Sequence, residues 1–143
     1  MRPLKRVEPI YIAHLFPELD GLLLECLRKL TPADWERRTV AAQWSVRDVA
    51  AHLLDGNIRT WSVLRGGYRP DNYNGPDSYD DLVIFLNKLN ADWVRAFRRV
   101  SPAVLTDLLE TTGKPFCEYM QSLDPSAPAA ISVAWAGESQ SEN

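Results

Sequence analysis

The stretch that decides the fold is Ser45-Val46-Arg47-Asp48-Val49-Ala50-Ala51-His52-Leu53-Leu54-Asp55-Gly56. Ser45 and Asp48 stand three residues apart, the spacing of a capping box. In that arrangement a hydroxyl and a carboxylate serve the unpaired N–H groups of a helix's first turn. Behind the cap, apolar residues recur at Val46, Val49, Ala50, Leu53, Trp61 and Leu64, which keeps one face of a helix apolar. The spacing predicts a helix from Ser45 to about Arg65, stopped by Gly66-Gly67.

The same punctuation recurs on both sides. Upstream, Thr31-Pro32-Ala33-Asp34 offers a hydroxyl cap, a proline at the first helical position and a carboxylate in the first turn. It opens a short helix or turn reaching about Arg37. Before it, Leu15, Leu19, Leu22, Leu23, Cys26, Leu27 and Leu30 predict a helix within Ile12–Leu30, regular from near Pro17. Downstream, Arg69–Asp77 is rich in Pro, Gly and Asn and reads as a loop. Ser78-Tyr79-Asp80-Asp81 then caps a segment to Arg99, with Leu82, Phe85, Leu86, Leu89, Trp93, Ala96 and Phe97 on one stripe. Ser101-Pro102 opens a fourth long segment to about Leu123, bearing Leu105, Leu108, Leu109, Phe116 and Met120. Gly113 and Pro115 are expected to kink or split it. Residues 124–143 read as an irregular tail, in which Ile131–Trp135 is the one stretch with a hint of strand character. Four long amphipathic segments predict an all-α protein, a four-helix bundle in a single domain over residues 1–143.

Composition narrows the function classes. The chain has 143 residues and a net charge of −3, which gives no electrostatic footprint for nucleic acid. Arg95, Arg98 and Arg99, the dense basic cluster, read as a solvated helix face. No apolar core of a signal peptide follows Met1, and no apolar run is long enough to span a bilayer, so a cytoplasmic protein without membrane contact is expected. The two cysteines, Cys26 and Cys117, form no C-x-x-C pair and read as buried free thiols. The five tryptophans read as core and helix-junction packing.

Two histidines carry most of the chemistry on offer. On a helix, Asp48, His52, Asp55 and Arg59 fall on one stripe. That stripe has two readings: a polar face washed by solvent, or a metal ligand or base at His52 oriented by a neighbouring carboxylate. His14, without convergent partners, reads as a structural or surface residue. No G-x-S-x-G elbow and no Gly-rich phosphate loop occurs.

Leu30-Thr31-Pro32-Ala33-Asp34-Trp35, followed by Thr39-Val40-Ala41-Ala42-Gln43-Trp44 and the stretch quoted first, resembles the N-terminal domain of mycothiol-dependent maleylpyruvate isomerases, within the DinB-like helical-bundle superfamily. The W-S-V-R-D-x-x-x-H-L core is the specific part, and the resemblance runs through most of the chain, to Ala134-Trp135-Ala136-Gly137-Glu138-Ser139. It implies a DinB-like four-helix bundle with a divalent metal, zinc by expectation, held by three side chains. One of these matches His52. The others are a glutamate and a histidine four residues apart on a later helix, and no histidine follows His52 here, so the chain reads as shortened by that last helix.

The resemblance further implies a small-molecule substrate and mycothiol or a similar low-molecular-weight thiol, in an isomerase or transferase reaction of full-length relatives. The alternative is a non-catalytic interaction or metal-binding bundle that pairs with another helix or subunit. A groove left open by the missing helix would favour a homodimer.

Overall fold

The computed structural model describes residues 10–68 and 78–128. A 3₁₀ turn over Ala13–Leu15 leads into α1 (Phe16–Lys29), followed by the short α2 (Pro32–Trp35). Then come α3 (Val46–Thr60), which continues as a π turn over Trp61–Arg65, α4 (Tyr79–Phe97) and α5 (Pro102–Ser122). The protein is all-helical; an isolated antiparallel β-bridge joins Arg38 and Ser45. No described helix is long and apolar enough to cross a membrane.

The starts of α2 to α5 form by the expected chemistry. Ser45 Oγ accepts from the Asp48 N–H at 3.3 Å, and Asp48 Oδ2 accepts from the Ser45 N–H at 3.0 Å. Thr31 and Asp34 make the same reciprocal pair at the start of α2. Ser78 accepts from the Asp81 N–H and Ser101 from the Val104 N–H. Such caps are each worth about 1 kcal/mol, so they fix where helices begin more than they hold the fold together.

Packing does the latter. α5 lies between α1 and α3, and α4 covers another side of α3. α1 runs antiparallel to α5: Phe16 meets Phe116 edge-on with ring centroids 5.7 Å apart, and Arg28 pairs with Glu110 at 2.6 Å. α4 runs antiparallel to α3, with the Trp93 indole N–H donating to the Ala51 carbonyl at 2.7 Å. The core between these elements is Leu24, Leu27, Trp35, Ala50, Ala51, Leu54, Leu105 and Leu109. Trp93 and Phe97 stack beside it with centroids 4.4 Å apart.

Three expectations are corrected. The apolar stripe of α1 divides: Leu27 is buried and Leu23 and Leu30 are partly covered, but Leu15, Leu19, Leu22 and Cys26 are exposed. Leu24, outside the predicted stripe, is core. Leu22, Leu23 and Leu24 are consecutive, so periodicity alone cannot say which of them faces the neighbour, and α5 covers one narrow side. Cys26 is therefore an exposed thiol, whereas Cys117 is buried as expected and burial pushes its thiol pKa up. Finally, α5 is not split; it runs through Gly113 and Pro115 as one helix. Burial of Leu105 and Leu109 on one side of these residues and Cys117 on the other holds both halves to their neighbours.

Gly113 has a packing role of its own. A Cβ there would stand 2.3 Å from Asp20 Oδ1, so the missing side chain lets the α1 carboxylate lie against α5. Burial pushes the Asp20 carboxyl pKa up, and Glu110 nearby adds to the rise. A raised carboxyl pKa means the folded state holds its proton more tightly than the unfolded one. Stability from this group is then full below its unfolded pKa and lost as pH rises through the folded value. Asp20→Asn is accordingly expected to raise the melting temperature at pH 7, with the gain vanishing at about pH 3. Thermal melts of both proteins at the two pH values check this.

Candidate functional site

The site assembles on the first half of α3, where a cap, a charge pair and the motif histidine share successive turns. Asp48 is 3% exposed and its carboxylate is fully engaged. Arg98, just past the end of α4, donates from Nε to Asp48 Oδ1 at 3.0 Å and from Nη2 to Oδ2 at 2.9 Å, while the Ser45 N–H holds Oδ2. Burial alone would push the Asp48 carboxyl pKa up; the Arg98 and Ser45 bonds outweigh it and hold the pKa below the usual range. Arg98 is thus a structural counter-ion rather than part of a solvated basic face. No local spacing could reveal that partnership, because the residues lie fifty positions apart.

His52 sits one turn further along. Its ring packs against the Trp44 indole with centroids 5.0 Å apart, tilted by 50°. Trp44 is held there by the turn before α3: its N–H donates to the Ala41 carbonyl at 2.7 Å and its carbonyl accepts from the Thr39 N–H at 3.0 Å. His52 Nδ1 is buried and has no hydrogen-bond partner. Of the carboxylates expected to orient the ring, Asp48 is committed to Arg98 and Ser45, and Asp55 makes a looser ion pair with Arg59 at 3.6 Å. The polar stripe is real as a register, but its carboxylates turn to other partners and His52 Nδ1 is left without one. His14 is exposed in the 3₁₀ turn before α1.

A divalent cation needs about three protein donors for a defined catalytic site. Among the described residues no group of three or more His, Cys, Asp or Glu side chains could hold one. The orphaned His52 nitrogen fits a single donor and nothing more, so the described residues alone do not make a metal centre. Residues 1–9, 69–77 and 129–143, outside the described set, contribute Glu8, Asp71, Asp77, Glu138 and Glu142 but no further histidine. Residues 129–143 of the predicted tail, with its Ile131–Trp135 stretch, and the predicted loop at Arg69–Asp77 also lie outside the described residues.

Fold and site together define a helical bundle with a capped, tryptophan-backed histidine on its second long helix. The family described as mycothiol maleylpyruvate isomerase N-terminal domain matches residues 16–141, and the chain belongs to it. Neither a curated protein nor a solved structure matches the chain.

Proposed function

We propose that this chain is a divalent-metal-binding bundle of the cytoplasm, acting with mycothiol or a similar low-molecular-weight thiol on a small-molecule substrate. His52 is its first metal ligand and zinc the cation. The remaining ligands come from outside the described residues, from a second molecule or from the thiol itself. The observation that carries the reading is the buried, unpartnered His52 Nδ1 in a family whose name ties it to a thiol-linked isomerase. A nitrogen shut away from water without a partner costs about 1–3 kcal/mol, which coordination would offset. Trp44 limits the ring's motion, so a ligand there is oriented before the cation arrives.

With one imidazole and carboxylates as donors, zinc affinity is expected to be low. The ring nitrogens of the two histidines give a simple nitrogen NMR spectrum. Zinc is expected to shift the His52 resonances and leave those of His14 in place. Shifts confined to His14, or none at all, would reject His52 as the ligand.

A further inference from the structure

A second feature lies at the very start of α3, beside the cap. Glu36, Arg38, Ser45, Arg47, Asp48 and Arg98 line a cleft of about 250 Å³. Its charges do not cancel. Asp48 is matched by Arg98, which leaves the guanidinium groups of Arg38 and Arg47 facing one carboxylate, Glu36. That match is loose: Glu36 Oε1 stands 3.5 Å from Arg47 Nη2, beyond a good hydrogen bond, and the Glu36 side chain is 61% exposed. The Arg47 side chain, by contrast, is 22% exposed, and its buried Nε has no partner. Arg38 spends one Nη1 contact on the Gln43 carbonyl at 3.2 Å. Guanidinium donors therefore outnumber acceptors, in a cleft at the positive end of the α3 dipole. The capping box already serves the backbone there, so recognition falls to the side chains.

The geometry points to a binding site for a small oxyanion, a carboxylate or phosphate group, gripped by Arg38 and Arg47 with Glu36 as a built-in competitor. The planar guanidinium fork matches either anion in two-point fashion. Glu36 occupies the place such a group would take at Arg47 and, being exposed, swings aside when the anion enters. The site uses neither His52 nor a cation, so it stands or falls apart from the metal reading.

The test is a titration of the full chain with inorganic phosphate, and separately with acetate, at constant ionic strength. The arginine Nε–H signals are followed by nitrogen–proton NMR. Saturable shifts of the Arg47 and Arg38 signals are expected with at least one anion, and the stronger of the two identifies the group. Arg47→Met is expected to weaken binding about tenfold, the loss of one charge-assisted hydrogen bond. Arg38→Met gives the same direction should the Arg47 variant fold poorly. Glu36→Gln is expected to tighten binding several-fold, a gain that a purely structural Glu36–Arg47 pair would not produce. Linear, unsaturable shifts with both anions, or binding unchanged or weakened in Glu36→Gln, would overturn the site.

Discussion

Arg98→Met is expected to lower the unfolding free energy by about 2 kcal/mol at pH 7. Methionine keeps much of the aliphatic stem and removes the two donors that hold Asp48. Breaking a buried ion pair from one side typically costs about 3–5 kcal/mol, because a charge is stranded without its partner. Here the guanidinium is half-exposed, so water reaches the gap and reduces the loss. The pH dependence has a fixed sign. The Asp48 pKa is lowered in the folded protein, so its stabilisation is present above the usual carboxylate range and disappears as pH falls through the lowered value. Urea unfolding at pH 7 and at about pH 3 should show the variant's deficit larger at the first than at the second. An equal deficit at both would mean that Arg98 acts through packing.

Leu54→Ala carries the largest expected loss, about 3–4 kcal/mol. Leu54 is 0% exposed and belongs to the same core cluster as Leu105 and Leu109 of α5. Its truncation removes favourable burial and leaves a hole that rigid helices fill only in part. A domain of this size has about 5–15 kcal/mol in total, so the variant should sit close to its stability threshold. Leu54→Met, which conserves volume, is expected to cost about 1 kcal/mol. Paired urea melts separate the two, and equal losses would place Leu54 outside the core.

Helix starts were legible in the sequence because a cap is local chemistry. Thr31 with Asp34 and Ser45 with Asp48 need only each other and the first turn between them. Partners brought together by packing were not. The Arg95-Arg98-Arg99 cluster looks uniform along the chain, yet the fold singles out Arg98 by placing it against Asp48. Residues Leu22–Leu24 show the same limit for the core: three successive leucines satisfy any register, and only the neighbouring helix selects Leu24. Pro115 misled because the penalty of a helix proline, about 3 kcal/mol, is outweighed when both flanking turns are buried.

For the site, position and residue type were readable and environment was not. His52 could be placed on a stripe with Asp48, Asp55 and Arg59, whose Asp55–Arg59 pair is a local contact one turn apart, but that Asp48 would be drawn to Arg98 depends on the fold. The indole of Trp44, eight residues earlier, comes over the ring because the Thr39–Ser45 turn folds back on α3.

The most direct measurement of the central claim is zinc uptake at equilibrium, by dialysis of the full chain and of His52→Ala against the same zinc solution, followed by elemental analysis. Zinc is expected to bind weakly and saturably to the chain and to be lost from His52→Ala, with both proteins equally helical by circular dichroism. Saturable zinc binding that survives His52→Ala unchanged would contradict the assignment.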